Sequence, residues 1–152
     1  MKTWGRWAFG LLTLSVTVTG LAYLWMKYVL VTDDPFAVVN HPWQGFMLVA
    51  HVILSPGLVL VFGALLNSHI LEKLGARKTQ NRKSGVVALA TFFVMTGTGY
   101  LLQVVTSTLL MQILVAAHVV SGGMFSLVYV VHLVVSVRLS RVQLVKQAAE
   151  AA

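Results

Sequence analysis

The chain has 152 residues, 58% of them hydrophobic and only 10% charged, with a formal net charge of +7 and no cysteine. So apolar a composition excludes an ordinary water-soluble domain, and the missing thiols exclude covalently attached c-type haem, cysteine-ligated iron–sulfur clusters, disulfides and thiolate zinc sites. The basic residues are grouped at the ends of apolar runs, which argues against nucleic acid as their partner and for anionic lipid.

A helix needs roughly 20 apolar residues to cross a hydrocarbon core, and four runs approach or exceed that length. The first, residues 7–30, follows Lys2 and Arg6 and carries Lys27 near its far end. It stays apolar past Gly20 through Leu30, longer than the core of a cleaved signal peptide, and reads as a span. Residues 31–41 contain Asp33 and Asp34 but no Lys or Arg, and lead into Asn40-His41-Pro42-Trp43. Pro42 disfavours helical geometry at His41. His41 is then either an interfacial residue beside Trp43 or a proton acceptor for quinol oxidation, helped by Asp33 or Asp34, because an imidazole titrates near neutrality.

The second run, residues 43–71, carries His51 and His69 with Ser55-Pro56-Gly57 between them. The loop that follows, residues 72–84, holds Lys73, Arg77, Lys78, Arg82 and Lys83. A third run spans 85–106 and includes Gly97 and Gly99; an uncharged turn around Thr106, Ser107 and Thr108 leads to the fourth, residues 109–137, with His118 and His132. Residues 138–152 begin with Arg138 and Arg141 and read as a short basic interfacial helix or a frayed tail. Trp4, Trp7, Trp25, Tyr28 and Trp43 near the span ends form an aromatic belt.

The expected fold is all-α: a transmembrane four-helix up-down-up-down bundle, one membrane domain over residues 1–152. Lys and Arg concentrate at both termini and in the 72–84 loop, so the positive-inside rule places these on the cytoplasmic side.

Ionisable side chains inside spans are rare and usually functional, which singles out His51, His69, His118 and His132. The gap from His51 to His69 is 18 residues, five helical turns, and from His118 to His132 it is 14, just under four. Each pair shares one helix face. Spans two and four run in the same direction, so His51 and His118 form an outer pair at similar depth, and His69 and His132 an inner pair beside the basic segments. Two such pairs can hold two planar metal macrocycles, each clamped between imidazoles from two helices. The ligand separations differ by about one turn, roughly 27 Å against 21 Å, and a bend near Pro56 is the device available to absorb the difference. Gly57, Gly63, Gly97, Gly99, Gly122 and Gly123 offer space beside flat cofactors. Ser55, Ser121 and Ser136 lie within about a turn of ligand candidates and are possible acceptors for an imidazole N–H. Arg77, Lys78, Arg82, Lys83 and Arg138 are candidate partners for inner propionates, and Lys27 for outer ones. Gly-rich phosphate loops, His-Glu-x-x-His and Gly-x-Ser-x-Gly are all absent from the sequence.

With His-Pro-Trp-Gln at 41–44, Ser-Gly at 84–85, Gly-Tyr-Leu-Leu-Gln at 99–103 and His-Val-Val-Ser-Gly at 118–122, the chain resembles bacterial membrane di-haem cytochrome b proteins over about residues 7–139. It looks most like their small four-helix members, and more distantly like the cytochrome b subunits of hydrogenases and formate dehydrogenases. The resemblance implies two noncovalent b haems with axial ligands His51, His118, His69 and His132. It also implies electron exchange between the quinone pool of a bacterial inner membrane and a periplasmic or peripheral redox subunit, such as a multihaem cytochrome c or an iron–sulfur protein. The 18-residue gap departs from the near-equal spacings of that family and bears on the inner pair. Two other classes stay open: a non-redox membrane anchor or assembly subunit, and a histidine-based proton or metal-ion transporter. An electron-transfer subunit need not be an enzyme by itself, and the sequence leaves that question open.

Overall fold

In hydrocarbon every backbone N–H and C=O must find its partner within the chain, and the helix is the local solution. The structure, a computed structural model, describes residues 3–34, 36–66 and 82–150, with side chains over 4–34, 36–66 and 85–135 and at a few positions beyond. Four helices account for most of these residues: α1 (Thr3–Tyr28), α2 (Gln44–Leu65), α3 (Arg82–Leu101) and α4 (Thr108–Glu150). No strand occurs among the described residues, so the all-α class with four helices is as expected. The chain divides into two compact units, Met1–Arg77 and Lys78–Ala152, each built on one helical hairpin.

In the first unit α1 and α2 run antiparallel: Gly5 lies by Leu65, Leu12 by Gly57, and Gly20 by His51. Thr13, Val16, Leu58 and Phe62 are buried between them, and the Phe9 and Phe62 rings meet at 6.1 Å between centroids. The α1–α2 connection is tied down at its ends. Asn40 donates its side-chain N–H to Lys27 O at 3.0 Å, and its backbone N–H to Gln44 Oε1. The Lys27 ammonium sits 5.5 Å from both the Tyr23 and Tyr28 ring centres, a cation–π contact that settles a charge at the end of an apolar helix.

The second unit repeats the antiparallel arrangement, with Gly99 by His118 and Met95 by Gly122. Phe92 and Phe125, 2% and 3% exposed, form its core with ring centroids 5.3 Å apart. Several hydroxyls inside the apolar segments turn back onto their own helix: Thr19, Thr91, Thr98, Ser55 and Ser121 each donate to a carbonyl three or four residues earlier, the acceptor nearest to hand in the absence of water. Large apolar side chains such as Trp7, Ile53, Leu60, Leu109 and Leu127 are mostly exposed. That inverts a soluble protein's pattern and suits contact with lipid tails.

Three of the helical segments, Trp4–Tyr28, Gln44–Leu65 and Thr108–Val135, are long and apolar enough to cross a membrane, as in a multi-pass membrane protein. The third expected span is shorter than the sequence indicated. Its apolar part is Gly85–Leu101, about 25 Å at 1.5 Å per residue, because the helix closes at Leu101. There the ladder tightens, Gln103 N–H donating to Tyr100 O and Val104 N–H to Leu101 O, and i→i−3 bonds of this kind end a helix. Residues 102–107 therefore form a turn instead of extending the span to 106. Of the two readings of the C-terminal segment, a short basic interfacial helix or a frayed tail, the segment is helical through Glu150 and continuous with α4; no Gly or Pro lies between Val137 and Glu150 to stop it. α2 runs through Pro56 as one helix. The basic loop with Lys73, Arg77 and Lys78, and the last part of the expected second span, lie outside the described residues.

Two substitutions check this packing. Phe125→Ala, which empties the centre of the second hairpin, is expected to cost about 3 kcal/mol, whereas Val131→Ala at a 54% exposed position changes stability by about 0.5 kcal/mol or less; unfolding in detergent measures both. Thr13 Oγ1 is buried with no hydrogen-bond partner, so Thr13→Val, which keeps the shape and deletes the orphaned hydroxyl, is expected to raise stability by about 1 kcal/mol in the same assay.

Candidate functional site

His51 sits in the second turn of α2 and is partly buried against α1. Its Nδ1 is 2.9 Å from Val16 O. A carbonyl only accepts, so Nδ1 carries the proton, and in the neutral ring the lone pair belongs to Nε2. The Nδ1–Cε1 edge of the ring lies against Gly20: a Cβ there would fall 2.8 Å from Cε1 and 2.9 Å from Nδ1, with Nε2 at 3.7 Å. Ser55, expected to serve the imidazole, instead donates to His51 O at 2.6 Å.

His118 occupies the corresponding place in the other unit. Its Nδ1 is 2.9 Å from Met95 O, with Thr98 Oγ1 at 3.3 Å as a further acceptor. Gly99 provides the gap, since a Cβ there would lie 3.0 Å from Cε1 and 3.3 Å from Nδ1. Ser121 bonds Ala117 O and His118 O, so the serines serve their own helices, where a carbonyl one turn back is the nearest acceptor. Val16, Gly20 and Met95 were not singled out from sequence; the carbonyls of Val16 and Met95 supply the acceptors that the serines were expected to supply, and Gly20 supplies room for the ring.

The remaining histidines stand apart from this arrangement. His132 is exposed on α4, and a Cβ on Gly85, near the start of α3, would meet nothing within 4 Å. His69 lies outside the described residues, so the inner pair is known only at His132. His41 precedes α2, where its carbonyl accepts from Gln44 N–H and its Nδ1 accepts from Trp43 N–H at 3.1 Å. The neutral His41 ring is thus the opposite tautomer, protonated on Nε2. Asp34 is engaged locally, its Oδ1 accepting from Phe36 N–H at 2.9 Å.

No group of three or more His, Cys, Asp or Glu side chains converges among the described residues. The arrangement at His51 and His118 is of another kind, a single imidazole per hairpin with its Nδ1–H committed to a main-chain carbonyl and Nε2 as the basic nitrogen. Metal-binding histidines are oriented in this way, and the hydrogen bond raises the basicity of the ligating nitrogen. This donor chemistry, a neutral imidazole held by its Nδ1–H, is of a kind that could hold haem iron at either histidine. No protein-family model matches the chain, and no curated protein or solved structure resembles it significantly.

Selective ¹⁵N labelling of histidine checks the tautomers. At a pH where the rings are neutral and with no metal added, His51 and His118 are expected to show the proton on Nδ1 and His41 on Nε2; the same tautomer at all three contradicts the geometry.

Proposed function

We propose that this chain is a b-type cytochrome of the bacterial inner membrane, passing electrons between the quinone pool and a partner redox protein as the membrane subunit of a larger complex. The observation that carries this reading is the commitment of Nδ1–H to a carbonyl at both His51 and His118, which leaves Nε2 as the nitrogen suited to iron. The pairing of these two as ligands of an outer haem comes from their matched depth in spans two and four. The same depth argument makes His69 and His132 the ligands of an inner haem. Held by these histidines, an iron porphyrin would supply a one-electron redox change, which suits electron transfer.

The chain's own contributions follow from its residues. His51 and His118 would hold the iron through Nε2, and Gly20 and Gly99 give their rings room. The apolar helices exclude water. His41 is the candidate proton acceptor for quinol oxidation: taking a proton on Nδ1 would release Trp43 N–H. The basic termini and the 72–84 loop place both chain ends in the cytoplasm. The loops between the spans are too short to house another active site, so the second redox centre is assigned to a partner, of the multihaem cytochrome c or iron–sulfur kind.

Purified protein is expected to show the reduced-minus-oxidised bands of low-spin b haem. A pyridine haemochrome assay is expected to show loss of at least one haem per polypeptide in His51→Ala and in His118→Ala. Well-folded wild-type protein without haem would sink this reading.

A further inference from the structure

The two hairpins carry the same device. Thr17-Val18-Thr19-Gly20 on α1 corresponds to Thr96-Gly97-Thr98-Gly99 on α3, and Ala50-His51-Val52 on α2 to Ala117-His118-Val119 on α4. In each hairpin the imidazole bonds the carbonyl four residues before the glycine, Val16 O or Met95 O, at 2.9 Å in both cases. The threonine before each glycine also donates to that carbonyl, Thr19 at 3.1 Å and Thr98 at 3.0 Å. The packing around the device repeats as well. Seven residues before the glycine the chain is buried at Thr13 and Phe92, and seven after the histidine at Leu58 and Phe125.

Helix geometry explains why a glycine stands four residues after the accepting carbonyl. A helical side chain leans toward the N-terminus and covers the turn before its own Cα, so the residue at i+4 screens the carbonyl of residue i from outside. At Val16 and Met95 the screening residue is Gly20 or Gly99, and the absent Cβ is the opening through which the imidazole reaches the carbonyl.

We propose that the chain is a tandem duplicate of one imidazole-cradling hairpin, in which Gly20 and Gly99 are positioning residues that hold His51 and His118 with Nε2 as the metal-binding nitrogen. The identity of the bound group rests on the function proposed above; the cradle does not. A methyl at either position drives the ring off its carbonyl, more forcibly at Gly20, where the Cβ distance is 2.8 Å, than at Gly99, where it is 3.0 Å.

The test is a double-mutant cycle on the full chain in detergent, combining Gly20→Ala with His51→Ala and Gly99→Ala with His118→Ala. Gly45→Ala, whose new Cβ meets nothing within 4 Å, is the control. Gly20→Ala and Gly99→Ala are expected to lower the melting temperature in the presence of their histidine and to have no such cost once it is removed. Each is also expected to shift the ¹⁵N signals of its own histidine and to weaken haem retention roughly 10- to 100-fold, the Gly20 variant by more. The two hairpins test the device independently if one variant does not fold. Equal cost with and without the histidine, or glycine variants indistinguishable from Gly45→Ala in ¹⁵N signals, would overturn the cradle. Coupling and ¹⁵N shifts as expected in wild-type protein that holds no haem would support the cradle and overturn the function.

Discussion

A main-chain carbonyl in a membrane helix has two lone pairs, and its own ladder uses only one of them. At Val16 and Met95 the second is shared between a threonine of the same helix, Thr19 or Thr98, and an imidazole from the neighbouring helix, the imidazole 2.9 Å away in each case. In hydrocarbon such a bond has no water to compete with it, and an imidazole left unpaired there would be costly. The bond joins the two helices of each hairpin, decides which ring nitrogen carries the proton, and requires a glycine where the ring passes. Helix pairing and ligand chemistry thus depend on the same contact.

The rest of each hairpin is consistent with that requirement. Close approach of the helices is obtained with small residues facing larger ones, Gly57 against Leu12 in one unit and Gly122 against Met95 in the other, because association in lipid relies on packing rather than on expulsion of water. Few side chains are buried deeply, and the aromatic contacts at Phe62 and Phe125 fall two or three turns from the histidines. Thr19, Thr91, Ser55 and Ser121 bond carbonyls of their own helices, whereas the imidazole bonds run from one helix to the other in each unit.

The helices and the histidines were readable from the order of residues, since both depend on composition and on the 3.6-residue period. The end of α3 was not: Leu102, Val104 and Val105 are as apolar as the residues before them, and the stop at Leu101 comes from i→i−3 bonds that hydropathy does not record. That the C-terminal segment joins the fourth span in one helix was not legible, because the basic residues after Val137 mark the end of the apolar run and say nothing about where the helix itself stops. Ser55 and Ser121 were plausible imidazole partners by proximity in sequence, and proximity along one helix is what made each bond its own backbone. The repeated Thr-x-Thr-Gly and Ala-His-Val segments were the signal that could have led to Gly20 and to the carbonyl of Val16.

By itself the sequence determined that the chain is helical, that its helices are apolar enough to cross a membrane, and that His51 and His118 are ionisable groups inside apolar runs, because run length, charge placement and helical period are properties of the chain alone. Only the tertiary structure decided which nitrogen of each ring is protonated and which residues make room for it. That choice depends on a carbonyl and a glycine of a different helix, 31 residues away from His51 at Gly20 and 19 away from His118 at Gly99, and no local pattern around a histidine encodes a partner at that distance.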